Sequence, residues 1–431
     1  MEKEIDLCKN YHFPKEIEIK KVEDIYLVIY TEGCLWLVLK ERELPVFRAL
    51  QAGRDIEQCF EEFDQNDVIS VITQIEAKDF EHPRIIEKKV NNLFIYLTNN
   101  CNERCKHCYM YAGDIKIVEL SVDEWKKVLK QFFEYGGQAV TFSGGEVTVY
   151  AGYAEIISYA HELGLLVTVL SNGILWDADV IQTLKDSIDE IQISIDGYDR
   201  ESYIAVRNFD GFEKALSTVK LFSKTDCRVS VAVTPAIEGL DEFIIGFKDF
   251  ARKLQDELPD VFIKVSVELL DGRELKVSQE ENRQYKQKLK AMVEELMPEF
   301  YAETFVLNYT ENNRKRNCGF GDVTIAANGD IYWCNRIFEL ESEINVRDFS
   351  MYEIMEKAQR VKEATSVEKS GICKDCEIKY ICGGGCRIHY PGILHPLSYS
   401  GEWKNTCTSE RKNEFYQKMI SSNEYFYLGY E

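Results

Sequence analysis

The stretch Cys101-Asn-Glu-Arg-Cys105-Lys-His-Cys108 is the most informative part of this chain. It places three cysteines within eight consecutive residues. A 4Fe-4S cluster has four irons, so three thiolates would leave one iron open to bind and reduce a small molecule. The alternative is a zinc site whose fourth ligand lies elsewhere in the chain. The spacing favours an iron-sulfur cluster.

The composition indicates a folded, cytoplasmic protein. The chain has 431 residues, of which 45% are apolar, enough for two or three globular domains. No apolar run reaches the roughly 18 residues that cross a bilayer, and the N-terminus lacks the pattern of a secretion signal, so we expect no membrane partner. A net charge of −22 repels the phosphate backbone of nucleic acid and counts against nucleic acid as a partner. Fourteen cysteines in such a chain predict metal sites more than disulfides.

The first 90 residues are predicted to form a small module of their own. Alternating apolar residues predict strands over 17–20, 25–30 and 35–39, and helical patterns follow over 41–50, 55–63 and 66–78. Three strands followed by three helices is a winged-helix order, which often indicates DNA binding. Residues 1–90 carry 20 acidic and 13 basic side chains, a net charge of −7, which counts against that function.

From about residue 93 the pattern changes to strands that alternate with helices, which predicts parallel βα units and an α/β fold. The predicted strands are 93–97, 139–143, 165–170, 190–195, 229–234 and 262–268. The predicted helices are 121–136, which opens with the capping box Ser121-Val-Asp-Glu124, and 153–163, 177–187, 211–222 and 240–254. The cysteine stretch follows the first of these strands directly, so it is expected at the carboxyl ends of the strands.

With His107 before the last cysteine, this motif resembles the signature of the radical S-adenosylmethionine (SAM) superfamily. The resemblance implies a partial (β/α)6 barrel whose cluster is held by Cys101, Cys105 and Cys108 and whose open iron chelates SAM. Further strand ends match the family's SAM-binding positions. Those residues are Ser143, Gly144, Gly145, Glu146, Ser171, Asn172, Ser194, Asp196 and Arg207. Taken singly, each is more often a helix cap or part of a surface salt bridge.

A second group of seven cysteines resembles the SPASM extension, which follows a radical SAM core and holds two auxiliary 4Fe-4S clusters. The resemblance assigns one cluster to Cys373, Cys376, Cys382 and Cys407 and the other to Cys318, Cys334 and Cys386. A pair of zinc knuckles is the alternative. Relatives with two closed auxiliary clusters have an eighth cysteine just before the first, and residues 304–317 contain none. The trio therefore implies a second open iron, unless Cys227 or a non-thiolate ligand closes it.

The residue after Cys334 is Asn335, where sulfatase-maturing relatives have an aspartate proposed as a base. Asparagine cannot accept a proton at useful pH, which weakens that function for this chain. No catalytic residue beyond the cluster ligands is assigned.

The N-terminal module resembles the leader-peptide recognition element of ribosomal peptide maturation. In that family an extended leader pairs with the third strand and packs on the last helix. The corresponding positions here are Leu35, Leu37, Val68 and Ile72. A structural cap is the alternative. The predicted domains are then 1–90 for leader recognition, 91–305 for the radical SAM barrel and 306–431 for the SPASM domain.

Together these features predict a maturase that joins a cysteine sulfur to a carbon of another residue in a ribosomally made precursor peptide, resembling ranthipeptide and sactipeptide synthases. Its expected cofactors are three 4Fe-4S clusters and SAM, and its electron donor a flavodoxin or ferredoxin. One alternative is a carbon-carbon crosslinking enzyme with closed auxiliary clusters. Another is a non-catalytic peptide chaperone or iron-sulfur scaffold, against which the intact SAM-binding motifs count.

Overall fold

The computed structural model describes residues 6–82, 91–114, 116–298, 301, 314–336, 343–387 and 407–427. The strands, in chain order, are β1 Ile17–Val22, β2 Ile25–Tyr30, β3 Leu35–Lys40, β4 Asn92–Thr98, β5 Ala139–Gly144, β6 Leu166–Ser171, β7 Glu190–Ser194, β8 Arg228–Val233, β9 Phe262–Val265, β10 Thr324–Ile325 and β11 Ile331–Tyr332.

The α-helices, in chain order, are α1 Leu44–Gln51, α2 Ile56–Glu62, α3 Gln65–Ala77, α4 Val122–Glu134, α5 Tyr153–Glu162, α6 Ala178–Leu184, α7 Arg200–Arg207, α8 Phe212–Phe222, α9 Leu240–Glu257, α10 Gln279–Leu296, α11 Met351–Ala364, α12 Lys379–Cys382 and α13 Ser409–Tyr427. Helices α7, α10, α11, α12 and α13 and the hairpin β10–β11 are additions to the elements predicted from the sequence.

The chain forms two compact units. The terminal unit combines residues 1–89, 302–320 and 361–431, and the sheet unit comprises residues 90–301 and 321–360. These units are compact parts of the chain, and the functional domains 1–90, 91–305 and 306–431 stay a prediction.

The terminal unit is built around the antiparallel sheet β1-β2-β3, and both faces of this sheet are buried. Leu35, Leu37 and Leu39 pack with helices α1, α2 and α3 in one core. Trp36, which points to the opposite face, packs with residues of the C-terminal segment in a second core, and its indole nitrogen donates to the carbonyl of Met419 at 2.9 Å. The two ends of the chain therefore fold together.

Helices α2 and α3 of the terminal unit begin at side-chain caps. Asp55 forms a capping box with Gln58 at the start of α2. Helix α3 begins at Asp64, whose carboxylate accepts from two backbone N–H groups. On α3 the sequence pattern placed Ile69 on the buried face, but it is 48% exposed, and Val71 fills that position instead.

The sheet unit contains one eight-stranded sheet in the order β11-β10-β4-β5-β6-β7-β8-β9. Strands β4 to β9 pair as parallel neighbours in sequence order, which confirms the predicted six parallel strands. Strand β10 adds to β4 in parallel, and β11 pairs antiparallel with β10. Because parallel strands end at one edge of a sheet, the loops after β4 to β9 share that edge.

Within the described residues, no helix has both the length and the apolar content needed to cross a membrane.

Candidate active site

The three cysteines of the quoted stretch lie on the cysteine loop, residues 99–114, directly after β4. Cys101, Cys105 and Cys108 are each half-buried. The loop packs against the turn after β5, where Gly145 and Glu146 donate their backbone N–H groups to the carbonyls of Thr98 and Asn100 at 2.8 and 2.9 Å. The structure thus places the thiols beside the predicted Gly-Gly-Glu element.

Burial disfavours the thiolate form of these cysteines. It raises the pKa of Cys101 to about 11 and that of Cys105 to about 12. In the part of the chain that the structure describes, no three Cys, His, Asp or Glu side chains are already arranged around one point as a metal site. Coordination to iron removes the thiol proton and offsets the cost of burial.

The donor set of the loop fits an iron-sulfur cluster. Its three thiols come from eight consecutive residues, and thiolate sulfur is the ligand that iron-sulfur clusters take. Two buried nitrogens of the same loop, Nδ2 of Asn102 and Nδ1 of His107, have no hydrogen-bond partner among the described residues. Nitrogens so placed can donate to the sulfurs of a cluster, an interaction that tunes its potential.

Gly144 and Gly145 are required by the cysteine loop itself. Gly144 has φ +139°, and a Cβ there would overlap with the carbonyl oxygen of Thr98. A Cβ on Gly145 would overlap with the carbonyl oxygen of Asn100. The sequence suggested that these glycines make room for a ligand, whereas the atoms that a side chain would meet belong to the backbone leading into Cys101.

Glu146 lies inside the protein and holds two strand ends together. Its carboxylate accepts from the Ser171 hydroxyl and the Asn172 backbone N–H, both at 2.7 Å, and from the N–H and hydroxyl of Thr148. Burial raises the pKa of Glu146, although these hydrogen bonds oppose the rise. Its side chain joins β5 to β6, so contact with SAM at this position would come from the backbone.

Arg207 is buried between two carboxylates. Its Nη1 lies 2.7 Å from Glu103 on the cysteine loop, and its Nε and Nη2 each lie 2.8 Å from one oxygen of Asp196. Asp196 also accepts from the backbone N–H of Thr234 at 2.7 Å, and Tyr203 donates to Glu103 at 2.9 Å. The predicted grip of Arg207 on a methionyl carboxylate would therefore compete with ion pairs inside the chain.

The predicted SAM-binding residues thus divide into two groups. Ser143, Gly144, Gly145 and Ser194 are half-buried at the carboxyl edge of the sheet, where a cofactor can reach them. The other five are buried and bonded to neighbouring side chains or backbone: Glu146, Ser171, Asn172, Asp196 and Arg207. For all nine, direct contact with SAM stays a prediction.

Two carboxylates that secure the cysteine loop escaped the sequence analysis. Glu103 lies inside the motif and links it to α7 through Arg207 and Tyr203. Glu119 accepts from the Thr98 hydroxyl at 2.7 Å and from the backbone N–H of Asn99 at 2.8 Å. The one sequence signal for Glu103 is its position between two cysteines of the motif. Glu119 reaches Thr98 and Asn99 only because the chain turns back, and the residues around Glu119 in the sequence do not predict that turn.

The quartet predicted for one auxiliary cluster is gathered in the terminal unit. Cys373, Cys376 and Cys407 line one cavity of about 590 Å³, together with Lys412. Burial raises the pKa of Cys382, and the charges of Cys373 and Cys407 act in the same direction. Four neighbouring thiols with a lysine beside them fit a cluster bound by four cysteines.

The trio predicted for the other auxiliary cluster is divided between the units. Cys318 and Cys386 are neighbours in the terminal unit, where a hydrogen bond from Cys386 and the backbone N–H of Arg387 lower the pKa of Cys318 well below its ordinary value. Cys334 belongs to the sheet unit and follows β11; the carbonyl of the adjacent Asn335 accepts from the hydroxyl of Tyr96 at 2.6 Å. This ligand set stays a prediction.

The loop between Cys382 and Cys386 consists of three glycines, and Arg387 holds it. Gly383, Gly384 and Gly385 all have φ near +70°, a conformation that other residues rarely adopt. The fully buried guanidinium of Arg387 donates to the carbonyls of Gly383, Gly385 and Thr365. Arg387 was not singled out from the sequence, because nothing in its spacing distinguishes it from a surface arginine.

The four residues predicted to bind a leader peptide are inside the core. Leu35, Leu37, Val68 and Ile72 are at most 1% exposed and pack between β3 and the three helices. A peptide bound at the surface would not touch these side chains. The sequence pattern identified residues of the core between β3 and α3, but it did not distinguish fully buried side chains from those that a bound peptide could contact.

The free edge of β3 is covered by the unit's own side chains. The amide of Gln74 on α3 both donates to the Val38 carbonyl and accepts from its N–H, each at 2.9 Å. Lys78 donates to the carbonyl of Trp36 at 2.8 Å, and Glu43 accepts from the N–H of Lys40 at 2.7 Å. An added strand would form its hydrogen bonds with these same backbone groups.

Residues 95–245 match the family model described as Radical SAM superfamily. This match covers β4 to β8 and the whole cysteine loop. The chain contains a radical SAM domain. The domain implies a 4Fe-4S cluster and SAM, which agrees with the donor set of the loop.

Two relatives of this chain have names that refer to the maturation of a killing factor and to the biosynthesis of a bacteriocin. The chain is 32% identical to the sporulation killing factor maturation protein SkfB of Bacillus subtilis over 34% of this chain, but spans only 36% of that relative. It is 26% identical to the subtilosin biosynthesis protein AlbA of the same organism over 75% of this chain and 72% of AlbA. An AdoMet-dependent heme synthase of Methanosarcina barkeri is 26% identical over 68% of this chain and 89% of its own length.

Among solved structures, the chain resembles SuiB of Streptococcus suis bound to SAM. The TM-score is 0.54 at 14% sequence identity, and the alignment covers 91% of this chain and 99% of SuiB. At this identity the likeness supports the fold and carries no conclusion on activity.

Proposed function

We propose that this radical SAM chain matures a ribosomally synthesised precursor peptide by forming a thioether between a cysteine sulfur and a carbon of another residue. The names of SkfB and AlbA favour peptide substrates. The predicted architecture, in which a leader-binding N-terminal domain and a SPASM domain flank the radical SAM domain, is part of this proposal.

The observation that carries the proposal is the unequal number of cysteines in the two auxiliary sets. Cys373, Cys376 and Cys407 line one cavity, and the sequence offers Cys382 as their fourth partner, whereas Cys318 and Cys386 form a pair for which the sequence offers Cys334 as a third ligand and no obvious fourth. A cluster with three protein thiolates has a site for an external thiolate. The low pKa of Cys318 indicates surroundings that stabilise a negatively charged sulfur.

Thioether formation would remove one hydrogen from each of the two groups that are joined. SAM and a first cluster held by Cys101, Cys105 and Cys108 would, with one electron from a reductant, supply the radical chemistry that takes one hydrogen atom from the acceptor carbon. The substrate cysteine would lose its proton as the sulfur-carbon bond forms, and an auxiliary cluster held by Cys318, Cys334 and Cys386 would accept the surplus electron. The peptide loses two hydrogens in total, and SAM yields methionine and 5′-deoxyadenosine. The residues of the chain would position the cysteine loop, the substrate thiolate and the acceptor carbon of the peptide relative to one another.

Leader recognition at β3 would require exchange of hydrogen bonds. An extended peptide that added to β3 would take over the Val38 groups that Gln74 now occupies. We expect Gln74→Ala to expose this edge and to strengthen binding of a leader that pairs with β3. If the substitution leaves the affinity for the precursor unchanged, the leader binds elsewhere.

The test is an anaerobic reaction of the reconstituted chain with SAM, a reductant and the short cysteine-rich peptide encoded beside this gene, followed by tandem mass spectrometry. A product lighter by two hydrogens, in which the cysteine no longer reacts with an alkylating reagent, supports the thioether. The same mass loss with every thiol still free indicates a carbon-carbon crosslink and contradicts the proposal. Absence of 5′-deoxyadenosine under any condition would favour a non-catalytic scaffold.

The heme synthase relative supports a second candidate, in which the substrate is a porphyrin, because it aligns with 89% of its own length. An iron porphyrin should therefore be assayed in parallel. Faster SAM cleavage with the porphyrin than with the peptide would favour this candidate.

A further inference from the structure

A short segment after β9, residues 272–274 (the Arg273 segment), lies against the cysteine loop. The guanidinium of Arg273 donates from Nη1 to the carbonyl of Cys105 at 2.9 Å and from Nη2 to that of Ala112 at 2.8 Å. Its Nε lies 2.8 Å from the carboxylate of Asp114. One side chain thus binds the loop at three points, and it is only 14% exposed.

Backbone contacts join the same two segments. The N–H groups of Arg273 and Glu274 donate to the carbonyls of Cys108 and Lys106 at 3.2 and 2.8 Å. A Cβ on Gly272 would overlap with the backbone of His107, so the approach requires glycine. The two segments lie side by side along the length of the motif.

This contact links strands that the sheet leaves apart. The cysteine loop follows β4 and the Arg273 segment follows β9, and these are the first and last of the six parallel strands, with four others between them. No hydrogen bond between β4 and β9 fixes the distance between their loops. The Arg273 segment therefore gives the cysteine loop a support on the side away from β5.

The chemistry of the contact suits a loop that must hold a cluster. Fixing the backbone of each residue costs conformational entropy, so three thiols are held in place only if other contacts order the loop. Arginine spreads its N–H donors over three nitrogens in a fixed plane and so reaches three separate acceptors, whereas all donors of lysine diverge from a single nitrogen. Its positive charge beside two ligand residues also stabilises the more negative, reduced form of a cluster.

We propose that Arg273 is a positioning residue for the cluster that binds SAM: it fixes the backbone of Cys105 to Asp114 so that the three thiols converge, and it favours the reduced cluster. This inference rests on the radical SAM domain and not on thioether formation, so each can fail without the other.

The test compares Arg273→Met and Arg273→Lys with the unaltered full-length chain after anaerobic reconstitution with iron and sulfide. Three quantities are measured: iron bound per chain, the change in the EPR spectrum of the reduced protein when SAM is added, and the midpoint potential of the cluster that responds to SAM. Arg200→Met, which removes an exposed ion pair with Asp210 in the same unit, is the matched control.

We expect Arg273→Met to lower the SAM-responsive EPR signal by roughly 10-fold, a typical effect of losing a residue that supports metal ligands. What signal remains should have a more negative potential. Arg273→Lys should restore the potential and only part of the signal, because it keeps the charge and loses the fork. The proposal is overturned if both variants have the EPR signal and the midpoint potential of the unaltered chain. If Arg273→Met does not fold, Arg273→Lys decides alone, and an unchanged signal and potential in that variant overturn the proposal.

Discussion

The three cysteines of the cysteine loop lie within eight consecutive residues, whereas the second group in the terminal unit, from Cys318 to Cys407, comes from segments as much as 89 residues apart. The first set sits on one loop that charged side chains secure, namely Glu103, Glu119 and Arg273. The second set depends on a fold that both chain ends build, with Trp36 bonded to Met419. A local motif thus forms the first site, and tertiary structure forms the other.

Cys318 differs from the other buried cysteines in the charge state that its surroundings favour. Burial raises the pKa of Cys101 and Cys105 on the cysteine loop, and likewise that of Cys376 and Cys382 in the terminal unit. Hydrogen bonds instead lower the pKa of Cys318. Protein groups therefore stabilise Cys318 as a thiolate, while Cys101 and Cys105 need iron to displace their protons.

The largest effect expected is that of removing a loop cysteine. Cys105→Ala should abolish release of 5′-deoxyadenosine, because two thiolates do not hold a cluster with SAM at its open iron. The measurement is chromatography of the products after anaerobic reaction with a reductant. Cys8→Ala is the matched control, since Cys8 is exposed and outside both sets, and it should behave as the unaltered chain. Full SAM cleavage by Cys105→Ala would contradict the role of the loop.

A methyl group on Gly145 should disturb the same loop without removing a ligand. The added Cβ would overlap with the carbonyl of Asn100 and shift the backbone before Cys101. Displacement of reacting groups by about 1 Å can cost about 100-fold in rate, so we expect SAM cleavage by Gly145→Ala to fall by up to that factor. Gly136→Ala, at a glycine with φ +99° where the added Cβ meets no atom within 4 Å, is the control for a substitution without steric overlap. Equal rates for both variants would exclude the steric explanation.

In the terminal unit the comparable disturbance is Arg387→Met. It leaves the carbonyls of Thr365, Gly383 and Gly385 without their buried donor, a loss on the order of 3 kcal/mol in the free energy of unfolding. Denaturant unfolding measures this change, and iron analysis should record loss of auxiliary iron with retention of the SAM-responsive EPR signal. Loss of that signal instead would mean that the two cysteine regions do not form independently.

The last effect expected is a pH dependence of stability that comes from Lys78 and leaves both cysteine sets intact. Burial lowers the pKa of this lysine from 10.5 to about 7, while it donates to Trp36 and to Asn423 on α13. Between these values the unfolded chain binds a proton that the folded chain lacks, so the free energy of unfolding should rise with pH by at most about 1.4 kcal/mol per unit. Lys78→Met should flatten this rise between pH 7 and 10. An equal slope in both proteins would contradict the burial of Lys78 in the joined ends of the chain.

Much of the framework could be predicted from the sequence because it depends on local patterns. Strand β2 matches its prediction at both ends, and the capping boxes at Asp55 and Ser121 mark helix starts correctly. The six parallel strands followed from alternating apolar runs. Helix α7 was missed because it is only eight residues long and has few apolar positions.

The rest could not be predicted because it depends on contacts between distant residues. Arg273 reaches Cys105 across 168 positions of the chain, and Gln74 reaches Val38 across 36. Neither residue belongs to a motif. The buried position of Leu35 and the ion pairs of Arg207 likewise arise from packing, which a family pattern does not encode.

The most direct test of the central claim uses Cys386→Ala, in a single reaction in which both 5′-deoxyadenosine and the crosslinked peptide are quantified. If the loop cysteines make the radical and the Cys318–Cys386 pair helps to hold the substrate sulfur, 5′-deoxyadenosine should still be released while the thioether product is lost. Formation of the thioether at the wild-type ratio to 5′-deoxyadenosine would contradict the account.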